Sequence, residues 1–250
     1  MNKSVTIDFE FDWGSRIKSD YAIKHTTERI LEIFHDNNAK GTFFISTETL
    51  PHSVKYIKMI DNYSHEIASH GHNHTLDYDT KSKIELQNQI KKSKKLLEDA
   101  IGDKIIGFRT PAFKRSKYTD EVLEELEFVY DSSTTQTSLK NRYEPMQYAN
   151  SEKLRYISIS TIRDRFPSGI KWMNLLGSKI TSKEPHIIYA HPFDFLSISE
   201  VLKLYDKDKI PLFVLAFYMA RFGSLYKTLK KATKGSKTIK SIINDMTQKS

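Results

Sequence analysis

Four of the nine histidines fall in one ten-residue window, His65-Glu-Ile-Ala-Ser-His70-Gly-His72-Asn-His74. His70 and His74 are four apart, a spacing that lets two imidazoles converge on one metal ion from a helical turn or a tight loop. Imidazole combined with carboxylate suits zinc and neighbouring divalent metals better than calcium or magnesium. His72 has the wrong spacing to join both on one helical face, so it is expected to point away or to support the others. A single histidine is more often a satisfied core or surface residue. A cluster directly after a short apolar stretch favours a metal site.

The matching acids lie near the N-terminus, where Val5, Ile7, Phe9 and Phe11 alternate with Thr6, Asp8, Glu10 and Asp12. Strand side chains alternate between faces, so the three carboxylates can share one side. Like charges so close raise one another's pKa unless a cation or guanidinium sits among them. Taken alone, the pattern also fits an edge strand with a solvated outer face. Arg109 ends the apolar run from Ile105 and needs a carboxylate if that strand is buried, with the acids at positions 8 to 12 as candidates. Phe128-Val129-Tyr130-Asp131 ends in an acid in the same way, and the run from Pro185 ends in His191, a candidate proton donor.

Short apolar runs alternate with longer amphipathic stretches, as in repeated β-α units. Strands are expected at Ser4–Phe9, Gly41–Ile45, Glu66–Ser69, Ile105–Arg109, Phe128–Asp131, Leu154–Ile159 and Pro185–Ala190. Helices are expected at Thr26–Asn37, Ser53–Tyr63, Lys81–Ala100, Thr119–Leu126 and Ile198–Asp206, and a long loop over Ser132–Ser151. In an α/β barrel the chemistry sits just beyond the carboxyl ends of the strands, and the residues singled out above all fall there.

The chain has 250 residues and no cysteine, which excludes disulfides and thiolate metal sites and fits a reducing compartment. The N-terminus reads as a strand rather than a signal peptide, and the longest apolar run, Ile210 to Met219, is short of the ~20 residues a membrane span needs. A cytoplasmic protein is therefore expected. The net charge is +8, and residues 221–250 hold eight Lys/Arg against Asp245, so the basic character is that of a tail.

In this order the motifs resemble the polysaccharide deacetylases of carbohydrate esterase family 4. The match runs through Asp8 and Glu10, Ser-His70-Gly-His-Asn-His74, Arg109-Thr-Pro-Ala-Phe, Tyr130-Asp131-Ser-Ser and Tyr189-Ala-His191. It spans residues 4 to about 195. Asp8-Phe-Glu10-Phe-Asp12 followed by Trp-Gly is closer to the intracellular-type branch than to members with adjacent aspartates. It leaves Glu10, favoured over Asp12, as the acidic ligand. No tryptophan follows Asp131, and Tyr189 stands where leucine is usual. The resemblance implies a distorted (β/α) barrel of seven strands over 1–222, with residues 223–250 as a basic, helical tail. It also implies a sugar N-deacetylase with one divalent metal ion, zinc by ligand chemistry, held by Glu10, His70 and His74. Asp8 would be the general base, Arg109 would orient it and keep it ionised, and a backbone N–H of the Thr110–Phe113 turn would meet the oxyanion. His191 would protonate the leaving amine, with Asp131 tuning it.

The implied substrate is an N-acetylated sugar, nucleotide-linked, lipid-linked or an oligosaccharide, on the way to a surface polysaccharide. Two other readings stand beside it: hydrolysis of a non-sugar amide such as a ureide or cyclic imide, and an inactive glycan-binding barrel. Phe222, Leu225 and Leu229 at helical spacing among lysines make the tail a packed exterior helix or a peripheral contact with the inner membrane face. Nucleic acid is not an expected partner, because no stacking platform accompanies the lysines.

Overall fold

The computed structural model describes residues 2–75, 77–135, 151–163, 166–181, 183–220 and 224–248. Seven parallel strands form one sheet: β1 (Lys3–Phe9), β2 (Thr42–Ile45), β3 (Glu66–Ser69), β4 (Gly107–Phe108), β5 (Tyr130–Asp131), β6 (Arg155–Tyr156) and β9 (His186–Ala190). Their spatial order is β6-β5-β4-β3-β2-β1-β9. The sheet curls into a distorted barrel with the helices outside. A small antiparallel pair, β7 (Thr161–Ile162) and β8 (Phe166–Pro167), lies between the edges. The segments around it stitch the ends together, since Ser160 N–H donates to the Ile187 carbonyl and Tyr189 N–H to that of Ser168.

Strands β1 to β3 are buried on both faces, as parallel strands between helices and a filled barrel must be. Val5, Ile7 and Phe9 meet Ile30, Phe34 and Ile57 on the helical side, so Thr6, Asp8 and Glu10 turn inward. The expected strand at Ile105–Arg109 narrows to two paired residues, yet Arg109 N–H still donates to the Ser69 carbonyl and carries the register onward.

Helices α1 (Tyr21–Asp36), α2 (Leu50–Asn62), α3 (Lys83–Ile101) and α4 (Thr119–Glu125) clothe the sheet. Helix α3 buries Leu86, Ile90, Ser93 and Leu97, one stripe at helical period. A Ser82/Glu85 capping box starts it, and left-handed Gly102 ends it. Helix α1 starts five residues before the periodicity predicts, because Asp12 Oδ1, ten residues back, accepts from Ala22 N–H at 3.1 Å.

Helices α5 (Ile170–Leu176) and α7 (Leu212–Met219) were not expected; α6 (Ile198–Lys203) is shorter than predicted. The basic tail forms α8 (Leu225–Thr233) and α9 (Ile239–Thr247), with Leu225, Leu229, Ile239, Ile242 and Ile243 buried. Ile239 N–H donates to Thr42 Oγ1 and Lys240 N–H to Glu66 Oε2, which seats α9 under the amino ends of β2 and β3. These apolar side chains are spent on the barrel. The described part of the tail is thus a pair of helices packed on the barrel, one of the two arrangements its sequence allows. The boundary at 222/223 and most of the expected 132–151 loop lie outside the described residues.

Candidate active site

The inward side chains of β1 build the site in layers. Thr6 Oγ1 and Asp8 Oδ1 both accept from Arg109 Nη1, at 2.9 and 2.5 Å. Arg109 is fully buried. Its Nε and Nη2 donate to the Ser132 carbonyl and hydroxyl at 3.1 and 2.9 Å, and its guanidinium lies 3.9 Å from the centre of the Phe44 ring. Every arm of the planar fork is thus engaged, a geometry lysine does not reproduce.

Glu10 stands one step beyond the end of β1. After it the backbone turns sharply, with left-handed Trp13, Gly14 and Ser15 in succession. That turn carries Asp12 away to cap α1, so the three carboxylates do not share one side. Burial raises the Asp12 carboxyl to about 6, against the opposing hydrogen bonds from Ser19 and Ala22.

His70 is the first residue after β3. Its Nδ1 lies 2.9 Å from the Arg109 carbonyl, which fixes that nitrogen as the N–H and leaves the Nε2 lone pair facing Glu10 Oε2 at 3.4 Å. His74 brings Nε2 to 2.7 Å from the same oxygen. Neither approach has hydrogen-bond geometry, and buried Glu10 Oε2 has no donor. Ligand atoms of Glu10, His70 and His74 all lie within 4.8 Å of one another. A tetrahedral zinc with ligands at ~2.1 Å separates them by about 3.4 Å, so this donor set and its orphaned oxygen fit a divalent cation.

Burial alone would raise the Glu10 carboxyl, but positive charge on His74 and His191 outweighs it and holds the group well below the usual range. His72 faces outward as expected, with Nδ1 2.9 Å from Thr47 Oγ1. Gly71, between the two ligands, has φ +78°, and a Cβ there would fall 2.1 Å from Tyr78 Oη.

His191 follows β9. Its backbone N–H and Nδ1 both meet Asp194 Oδ2, at 2.8 and 3.2 Å. Nε2 then faces the site, 3.9 Å from Asp8 Oδ2 and 3.8 Å from Glu10 Oε1. Burial opposes charging this imidazole, but Asp194, Glu10 and Asp8 outweigh it and raise its pKa to about 9. A divalent cation beside Glu10 would act in the opposite direction.

Asp131 does not reach His191. It is buried against Arg115 Nε at 2.8 Å and accepts from Ser133 N–H at 3.0 Å and from the Ser133 hydroxyl. Ser133 Oγ in turn accepts from Thr110 N–H at 2.8 Å. Asp131 therefore braces the turn after Arg109, and the histidine's acidic partner is Asp194. The His191-Pro-Phe-Asp194 spacing carried that signal, as it is a capping box around a short turn. Glu48, whose Oε1 accepts from His74 N–H at 3.0 Å, gave no comparable signal. In the Thr110–Phe113 turn, Thr110 N–H is engaged by Ser133 and Phe113 N–H by the Thr110 carbonyl. Ala112, left-handed at φ 52°, holds the remaining donor.

A family model described as polysaccharide deacetylase matches residues 2–130. A peptidoglycan deacetylase of Helicobacter pylori is 29% identical over 105 residues, 42% of this chain and 36% of that protein. Among solved structures, a peptidoglycan deacetylase from Bacillus subtilis is similar with a TM-score of 0.56 at 13% identity, over 99% of this chain and 92% of that one. A family 4 carbohydrate esterase pseudoenzyme from Bacillus anthracis is similar with a TM-score of 0.55 at 16% identity, over 96% of this chain and 64% of that one. This chain thus spans about a third of the curated relative and under two thirds of the pseudoenzyme. The two structural likenesses establish the fold. With the family model covering just over half of the sequence, the chain belongs to the polysaccharide deacetylases.

Proposed function

We propose that this protein is a metal-dependent hydrolase that removes an N-acetyl or similar acyl group from a sugar. The observation that carries the reading is the buried cluster of Glu10, His70 and His74, with the Asp8–Arg109 pair and the His191–Asp194 pair beside it. Family membership and the peptidoglycan deacetylase activity of the curated relative support the sugar class. The substrate we propose is an N-acetylated oligosaccharide or a nucleotide- or lipid-linked precursor of a surface polysaccharide, met in the cytoplasm.

Glu10, His70 and His74 would hold the ion, zinc by ligand type. When bound, such an ion lowers the pKa of a water and polarises the amide carbonyl. Asp8 Oδ2, free of the Arg109 bond, accepts the proton of the attacking water. Arg109 holds Asp8 in that orientation through Oδ1. The Ala112 N–H donates to the carbonyl oxygen, which becomes the oxyanion as the acyl carbon turns tetrahedral. His191 Nε2 delivers a proton to the departing nitrogen while Asp194 holds the ring through Nδ1. A ureide or cyclic imide hydrolase would use much the same groups, so the substrate panel must include both classes.

The test is metal content and acetate release by the purified full chain, beside His70→Ala and His74→Ala. About one zinc or similar ion per chain, absent from both variants, with acetate released from N-acetyl sugars, supports the proposal. A chain that neither holds nor takes up a divalent ion sinks it.

A further inference from the structure

In the reaction proposed above, His191 delivers its proton to the departing nitrogen, so the sugar that carries this nitrogen sits in the space His191 faces. That space is a cavity of about 420 Å³ whose walls include Lys171, Trp172, Asp194, Phe217 and Tyr218. The aromatic rings offer flat faces to a sugar. The lysine is the member that needs explaining. Lys171, on α5, is only 6% exposed, and its Nζ lies 3.2 Å from the centre of the Tyr218 ring and 4.3 Å from that of Phe217. Taking an ammonium out of water is costly. Methionine fills much the same space without that cost, so packing alone does not account for the charge.

A second cation approaches the same ring from the turn after Glu10. Arg16 Nη1 donates to the Trp13 carbonyl at 3.2 Å, and the Trp13 ring packs on Tyr218 at a centroid separation of 5.0 Å. The position that a Cβ on Gly14 would take is 3.4 Å from Arg16 Nη1 and 3.7 Å from Glu10 Oε1. The exposed guanidinium therefore stands beside the metal cluster. The Tyr218 phenol agrees with this placement: burial raises its pKa well above the usual value, Asp194, Glu10 and Tyr189 add to the rise, and Arg16 opposes it. Arg16 and Lys171 thus gather at one aromatic ring.

The acids nearby are already engaged. Asp8 is held by Arg109, and Glu10 belongs to the ion cluster. In the loop that carries Arg16, Asp12 caps α1, Asp20 pairs with Lys24 at 2.9 Å, and Lys18 pairs with Glu48. Arg16 makes no ion pair among the described residues. Burial would raise the Asp194 carboxyl, but His191 and then Lys171 hold it below the usual range. One carboxylate is thus shared by His191 and Lys171, and Arg16 adds a further positive charge. With Glu10 committed to a divalent ion, the groups around the cavity carry more positive than negative charge.

We propose that Arg16 and Lys171 recognise an anionic group, a phosphate or a carboxylate, on the sugar that carries the amide. Guanidinium and ammonium both give charge-assisted hydrogen bonds to such oxygens. This deepens the proposed function by choosing acidic sugars among its substrates, and it rests on that reading for the placing of the sugar.

The experiment is titration calorimetry of the purified full chain, in the presence of zinc, with N-acetylglucosamine, its anomeric phosphate and N-acetylmuramic acid. These are a neutral sugar and its phosphate- and carboxylate-bearing counterparts. At least one anionic sugar should bind about tenfold more tightly than the neutral one, and which one does so names the group. Lys171→Met should reduce that preference about tenfold and Arg16→Gln about threefold, because Lys171 is buried and Arg16 exposed. Equal affinities for the three sugars overturn the proposal, as does a preference that both variants retain. A preference lost in His70→Ala but kept in both variants places the anion on the metal and also overturns it. If Lys171→Met fails to fold, Arg16→Gln, at an exposed position, decides alone. Binding needs no turnover, so a chain that prefers the anionic sugar yet releases no acetate overturns the hydrolase reading and not the recognition.

Discussion

Arg109 donates to Asp8 Oδ1 at 2.5 Å with both side chains almost wholly removed from solvent. Each charge compensates the other where water cannot, and the same guanidinium fixes the Ser132 segment. Arg109→Ala should therefore destabilise the fold by about 3–5 kcal/mol, the usual result of leaving one member of a buried pair alone. Arg109→Lys should recover part of that stability but not the orientation of Asp8. Denaturant unfolding measures the first effect and acetate release the second. Arg109→Ala with unchanged stability would remove the pair as a structural element.

Asp194 holds His191 through two contacts to one oxygen, and neither residue is among the three that would bind an ion. His191→Ala should lower turnover by about 10²–10⁴-fold, the usual contribution of a positioned acid. Asp194→Asn should lower it by less, with metal content unchanged in both. Loss of the ion from either variant would mean that the pair supports the metal cluster rather than the leaving group.

The metal reading also predicts a stability effect that needs no substrate. An ion bound only by the folded chain stabilises it by about 2.7 kcal/mol at a hundredfold excess over its dissociation constant. Zinc should raise the melting temperature of the chelator-treated protein, and Glu10→Ala or His74→Ala should abolish that rise. An equal rise in all three would assign it to surface binding.

His65 gives a pH dependence away from the site. Burial, aided by nearby Lys40, pushes its pKa down to about 3, and the Gly41 N–H that donates to Nδ1 is a bond only the neutral ring can accept. The unfolded chain takes up a proton below about 6.5 that the folded chain refuses until far lower pH. Stability is therefore full above that pH and falls as the solution is acidified, by at most about 1.4 kcal/mol per unit. His65→Asn should flatten the slope between pH 6 and 4 relative to the unaltered protein. Parallel slopes would show that His65 is protonated in the fold.

Gly71 tests the loop between the histidines. A Cβ there collides with Tyr78 in a backbone conformation that disfavours side chains, so Gly71→Ala should cost about 1–3 kcal/mol and weaken metal retention. Normal zinc content and unchanged melting would show that the loop has room to adjust.

What could be read from the sequence follows from the range of the interactions. Strand positions and the His70/His74 pair were legible because side-chain alternation and close spacing are local. The pairing of Arg109 with an acid near position 8 was legible from chemistry alone, since a buried guanidinium needs a carboxylate. Asp12 was misplaced because its cap on α1 depends on a turn through three left-handed residues, two of them not glycine. The place of Asp131 is not legible in the sequence because its partner, Arg115, lies beyond a turn whose path the strand pattern does not specify. Helix α7 is not legible in the sequence because a run apolar on every face has no periodicity.

The seat of α9 bears on the order in which the molecule comes together. Glu66 on β3 accepts from Tyr130, Thr42 and the Lys240 backbone, and burial raises its carboxyl pKa despite these bonds. Its last partner arrives 174 residues later in the chain. Strands synthesised early thus keep a carboxylate short of one hydrogen-bond donor at their base until a late segment docks there. Contacts so distant in sequence slow the final step of folding. Pulse-labelled hydrogen exchange should find the amides of β2 and β3 protected only when those of α9 are.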